Sequence, residues 1–103
     1  MPVKEFQPTR SPAYDQLVRD LAAEWSATRS DRREPIILQE TRRDGRVMHV
    51  YVVWSTWNDV DRTERSEIIM DAAEKCLGSA QAGDITIAMG LTPDEADRMG
   101  IRY

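Results

Sequence analysis

The sequence predicts a small α+β domain, a two-layer sandwich of order α-β-β-α-β-α with helices packed on one face of a three-stranded sheet. Three observations carry this. Two stretches hold an apolar face at three- and four-residue spacing, two extended stretches flank an Asp-Gly dipeptide, and a third alternating stretch runs into a capped helix. With 103 residues, 41% hydrophobic and 31% charged, the chain has the size and composition of one domain around one core. Residues 11–103 form that domain, and residues 1–10 are a loosely ordered arm whose Pro2 and Pro8 interrupt any periodicity.

The first helix is predicted from Ser11, an N-cap followed by Pro12 at the first helical position, to about Ser30. Tyr14, Leu17, Val18, Leu21 and Trp25 give it one apolar face. After a charged link, Ile36 to Arg43 and Arg46 to Trp54 read as strands rich in β-branched residues. Asp44-Gly45 between them predicts a two-residue type I′ turn pairing Arg43 with Arg46. Counting back from it places Glu40 opposite His49, Leu38 opposite Tyr51 and Ile36 opposite Val53. The face bearing Ile37, Met48, Val50, Val52 and Trp54 is the expected core side, and Arg42, Glu40, His49 and Tyr51 are expected on a more open one.

Asp61 and Glu64 have capping-box spacing at the head of a second helix. Its apolar stripe is Ile68, Ile69, Ala72, Ala73, Cys76 and Leu77, its wet side is expected to include Arg65, Glu67, Asp71, Glu74 and Lys75, and Gly78 stops it. Asp84 to Gly90 alternates as a third strand with Ile85, Ile87 and Met89 on one side. Thr92-Pro93-Asp94-Glu95 then combines an N-cap, a first-turn proline and a box glutamate, with Leu91 placed to staple onto Ala96 and Gly100 closing the last helix. The predicted core is Leu17, Leu21, Trp25, Val50, Val52, Ile68, Ile69, Ala72, Leu77 and Ile87.

Composition narrows the function classes. A net charge of -4 disfavours a nonspecific binder of nucleic acid or anionic membrane, because the whole-protein field repels phosphate. The arginines nevertheless gather early, at Arg29, Arg32, Arg33, Arg42, Arg43 and Arg46, while the second half is acidic. Cys76 stands alone, so no internal disulfide forms and a staple-dependent secreted fold is disfavoured. No apolar run reaches membrane-spanning length, and the expected setting is cytoplasmic.

No catalytic constellation is legible. His49 is the one histidine, its expected role is a cross-strand pair with Glu40, and no close Cys/His spacing recruits a metal. Ser55 and Thr56 lie outside any nucleophile-elbow pattern. The paired carboxylates, Asp59 with Asp61 and Asp94 with Glu95 and Asp97, sit at helix starts, where the backbone dipole accounts for them, and no glycine-rich phosphate loop occurs. Neither cofactor nor metal is expected. Tyr51, on the open face, and Trp57, in a polar connection, join the arginines and His49 as the candidate binding surface.

From Val50 onward the run Val-Tyr-Val-Val-Trp-Ser-Thr-Trp, the helix opening Arg62-Thr63-Glu64-Arg65-Ser66, the strand Ile85-Thr86-Ile87-Ala88 and the turn Thr92-Pro93-Asp94-Glu95 resemble the BolA-like family. The resemblance spans roughly residues 11–97 and implies that family's α+β fold. Ser66 and Thr86 stand where the family carries the histidines of its iron–sulfur partnership with glutaredoxins, so the resemblance implies no cluster ligands here. The related KH fold binds nucleic acid through a Gly-x-x-Gly loop, which this chain lacks. The expected function is a non-catalytic interaction or regulatory module that binds a protein partner or a second copy. The alternative is a nucleic-acid-binding domain using the arginine hairpin and the open sheet face.

Overall fold

The computed structural model describes residues 13–27 and 34–103. The chain runs through α1 (Tyr14–Ser26), β1 (Ile36–Thr41), β2 (Val47–Val53), a 3-10 turn (Ser55–Asp59), α2 (Arg62–Leu77), a short α3 (Ser79–Ala82), β3 (Ile87–Leu91) and α4 (Pro93–Arg98). This is the expected α+β order, with the one-turn α3 inserted after Gly78. The sheet order is β1-β2-β3, with β1 antiparallel and β3 parallel to β2. The expected caps at Ser11 and Pro12 and the arm over 1–10 lie outside the described residues, and the first helix ends at Ser26 rather than near Ser30, with Ala27 already extended.

Helices α1 and α2 pack together over one face of the sheet. Tyr14, Leu17, Val18 and Leu21 meet Ile68, Ile69, Ala72 and Ala73, and both sets cover Val50 and Val52 in one buried cluster, with Trp25 and Leu77 at its margin. The Tyr14 hydroxyl donates to Asp71, and the Cys76 thiol to the Ala22 carbonyl, tying the two helices at their polar seam.

The hairpin departs from the predicted turn. Gly45 alone takes positive φ, at 85°, whereas a type I′ turn requires it at both central residues. The Gly45 amide donates to Arg42 O and the Arg42 amide to Arg46 O. The loop is therefore the three residues Arg43, Asp44 and Gly45, a type I turn closed by a left-handed glycine. That would shift every partner by one, but a bulge between Glu40 and Thr41 restores the count: Thr41 faces Val47, while Glu40 faces His49 and Ile36 faces Val53 as predicted. The extra residue is Met48. Val47 consequently packs against the main cluster in the position expected of Met48.

β3 corrects a second expectation. Its parallel register sets Val50 beside Ala88 and Val52 beside Gly90, so Ala88 and Gly90 face α2, and Ile87, Met89 and Leu91 turn to the opposite side. Ile87, predicted for the core, is 38% exposed. Ile85 enters the core from the turn after α3, before the strand begins.

Helix α4 closes as predicted. Thr92 and Glu95 form the reciprocal capping box, and Leu91 and Ala96 share a buried cluster with Val53. The Ile101 amide donates to Ala96 O and the Gly100 amide to Asp97 O, with Gly100 at φ 72°, a Schellman closure that folds Ile101 back. Since Val53 points away from Val52, α4 covers one end of the face opposite α1 and α2. The two long helices thus share a face as expected, and the short one lies across the sheet from them.

Candidate functional site

Arg65 positions everything around the end of the sheet. The expectation that it stays wet is incorrect: its residue is 6% exposed. Three and four residues before Ile68 and Ile69, it lies on the buried stripe of α2. Its Nε donates to Val60 O at 2.8 Å, Nη2 to Trp57 O at 2.6 Å, and Nη1 to Gly90 O at 3.3 Å and Glu95 Oε1 at 2.7 Å. One guanidinium thereby joins the 3-10 turn, β3 and α4, the fixed planar fork being what allows one side chain to serve carbonyls in several directions.

Two neighbours depend on it. The Glu95 carboxyl is lowered to about 2, chiefly by the Thr92 backbone amide and further by the Arg65 guanidinium, against the opposing effect of burial. Gly90 lies directly beneath Arg65 and Trp57: a Cβ there would stand 2.9 Å from Arg65 Cβ and 3.0 Å from the Trp57 ring. The glycine is needed for close approach.

Trp57 therefore leaves the candidate surface. It is fully buried, donates from Nε1 to Val52 O at 3.0 Å and meets Trp54 edge-on at 5.1 Å. A 3-10 turn has three residues per turn, so Trp54, Trp57 and Val60 face the core together. That three-residue spacing was the available signal.

The remaining candidates fall into two places. Arg42, Arg43 and Arg46 are exposed at the hairpin tip, where Asp44 lies 4.0 Å from Arg42 and 3.8 Å from Arg46, and Asp84 lies 3.7 Å from Arg46. Carboxylates thus already offset part of the tip's positive charge. Arg29, Arg32 and Arg33 lie outside the described residues. His49 and Tyr51 sit together on the face opposite α1 and α2: His49 Nδ1 is 3.2 Å from Glu40 Oε2, and the two rings meet edge-on with centroids 6.4 Å apart. Burial first, and then the Glu40 carboxylate, push the Tyr51 phenol above its usual value of 10, so it remains a neutral hydrogen-bonding group.

Around this pair the face is largely aliphatic. Ile36 and Leu38 from β1, Tyr51 from β2 and Met89 from β3 are partly covered against Val53, Leu91 and Ala96, and Ile87 is beside His49 in register. The hairpin register already sets Ile36 and Leu38 on the face of Tyr51, whereas Ile87 and Met89 join that face through the parallel register of β3, which alternation alone does not reveal. Beyond β3, a cleft of about 400 Å³ runs between α2 and α4, lined in part by Arg62, Ser66, Arg98 and Met99. Ser66 is engaged there, donating to Ala88 O at 2.8 Å.

Among the described residues no group of three His, Cys, Asp or Glu side chains could hold a metal ion. No helix of the described residues is long and apolar enough to cross a membrane. No family model matches the chain, and no curated protein or solved structure shows significant similarity to it.

Proposed function

We propose that this chain is a non-catalytic interaction module whose open sheet face receives a protein partner. The observation that carries the proposal is the row Ile36, Leu38, Tyr51, Ile87 and Met89, which runs across all three strands on the face without α1 and α2. A contiguous apolar surface left partly in water by a monomer is the usual mark of a protein contact. His49, Tyr51 and Glu40 supply a polar margin, as partner-binding surfaces have.

The nucleic-acid alternative draws less support. Its arginines would have to bind phosphate at a tip where Asp44 and Asp84 already lie beside Arg42 and Arg46, within a chain of net charge -4. The BolA-like likeness enters the proposal at the level of fold only, since Ser66 and Thr86 replace the family's histidines. A cytoplasmic setting belongs to the same proposal, supported by the lone thiol of Cys76.

The test compares affinity capture by the wild type, by Leu38→Asp with Ile87→Asp, and by Arg42→Ala with Arg43→Ala. A protein retained by the wild type and the arginine variant, but lost from the sheet-face variant at unchanged helicity, is the expected result. Retention by the sheet-face variant, or low-salt retardation of oligonucleotides that disappears with the arginines, overturns the proposal.

A further inference from the structure

The outer edge of β3 lies at the floor of the cleft between α2 and α4. Since α2 covers one face of the sheet and α4 one end of the other, this edge is walled on both sides without being closed over. With a volume of about 400 Å³, the cleft has the size of a small-molecule site. Its apolar lining comes from Met89, Leu91 and Met99, the last of them 53% exposed, and its rim carries Arg62 and Arg98.

Most of the acceptors here are already engaged. The Ala88 and Gly90 carbonyls, which point away from β2, receive the Ser66 hydroxyl and the Arg65 guanidinium, so an incoming peptide strand would meet no free row of carbonyls to pair with. Glu95 is held through Oε1 by Arg65 and the Thr92 amide, and through Oε2 by Arg62 at 3.4 Å. Asp61 and the Thr92–Glu95 box already place carboxylates at the starts of α2 and α4, where a phosphate would otherwise sit. What remains is positive charge. Arg62 is exposed and makes one long contact, and among the described residues no carboxylate pairs with Arg98. Arg62, Arg65 and Arg98 against Glu95 leave the cleft cationic, within a chain of net charge -4.

We propose that this cleft binds a small organic carboxylate with an apolar body, the carboxylate lying between Arg62 and Arg98 and the body against Met89, Leu91 and Met99. A guanidinium presents parallel N–H donors that match the two oxygens of a carboxylate. Thioether and aliphatic side chains adapt to the shape of an apolar body. Both arginines stay largely in water, so the affinity is modest, with a dissociation constant of about 10⁻⁴ M. The site goes beyond the open-face proposal and does not depend on it. Met89 is the one member of the open-face row that it shares.

Titration calorimetry and methyl-resolved NMR of the full chain test this with octanoate as the probe, beside octanol, octyl phosphate and acetate. Circular dichroism confirms that each variant folds. The expected result is saturable octanoate binding at about 10⁻⁴ M, with the methyl signals of Met89, Leu91 and Met99 moving together. Octanol and acetate should each bind about tenfold more weakly or worse, and Arg62→Gln and Arg98→Gln should each cost octanoate about fivefold. No binding up to about 10 mM octanoate, or binding that neither arginine variant weakens, overturns the proposal. Octyl phosphate bound more than about tenfold tighter than octanoate overturns it too, making this a phosphate site. Shifts confined to Ile36, Leu38 and Ile87 also overturn it, moving the ligand to the open face and leaving the proposed function standing.

Discussion

Replacing Arg65 by methionine should cost the domain about 4 kcal/mol. Methionine keeps much of the stem volume but removes the donors that reach the carbonyls of Trp57, Val60 and Gly90 at 2.6, 2.8 and 3.3 Å, leaving Trp57 O with the Val60 amide alone, and takes from Glu95 its 2.7 Å partner, leaving it the Thr92 amide and Arg62. An abandoned buried polar group costs about 1–3 kcal/mol. The losses do not add, because they share one guanidinium and relax together. Truncating one side of a buried, hydrogen-bonded charge pair costs about 3–5 kcal/mol, and the Arg65 side chain is 8% exposed, so solvent compensates little. Against a total stability of about 5–15 kcal/mol, that is a large share. Urea unfolding followed by tryptophan fluorescence measures it, with Trp57 directly beneath the lost group. At a slope of about 1–1.5 kcal/mol per molar for a domain of this size, the midpoint should fall by about 3 M. Glu95→Gln keeps an acceptor oxygen and should cost about 1–2 kcal/mol, and the double variant should cost less than the sum. A loss below about 1 kcal/mol for Arg65→Met would refute the idea that this guanidinium holds the end of the sheet together.

Three further outcomes follow from the same neighbourhoods. Because the Glu95 carboxyl is lowered from 4.5 to about 2 in the folded chain, its contribution is present above the unfolded value and is lost as pH falls from about 5 toward 2, amounting to about 3 kcal/mol at most. Chemical denaturation across that range should show a decline that Glu95→Gln largely flattens. Gly90→Ala, whose Cβ would crowd Arg65 and Trp57, should destabilise by about 1–3 kcal/mol in the same assay, and a neutral result would show that the contact can relax. Spectrophotometric titration should find Tyr51, identified by Tyr51→Phe, ionising above 10 and moving down when Glu40 is replaced by Gln; an unchanged titration would deny the carboxylate its part.

The features legible in sequence were those set by short-range rules. The spacing of Leu17, Val18 and Leu21 and of Ile68, Ile69 and Ala72, the Thr92–Glu95 box and the Leu91–Ala96 staple depend on residues within one or two turns, and each forms as predicted. The Glu40–His49 pairing also holds, through two offsetting departures, a longer turn and a bulge at Met48. What escaped was long-range. The register of β3 on β2 depends on how a crossover of helices delivers the strand, so Ile87 and Met89 could not be assigned to the open face from their alternation alone. Arg65 was judged by its charge rather than by its place on the α2 stripe. Its partners are carbonyls of Trp57, Val60 and Gly90, and backbone acceptors leave no trace in side-chain identity. Trp57 was assigned by the polarity of its neighbours, when its spacing from Trp54 and Val60 pointed inward.

The open sheet face is tested most directly by methyl-resolved NMR of the chain as its captured partner, or its own concentration, is raised. The proposed function requires the methyl signals of Ile36, Leu38, Ile87 and Met89 to shift or broaden together while those of Ile68 and Ile69, on α2 and buried against the opposite face of the sheet, stay in place. Perturbation confined to the backbone of the Arg42–Arg46 tip, with the four open-face side chains unmoved, would contradict it.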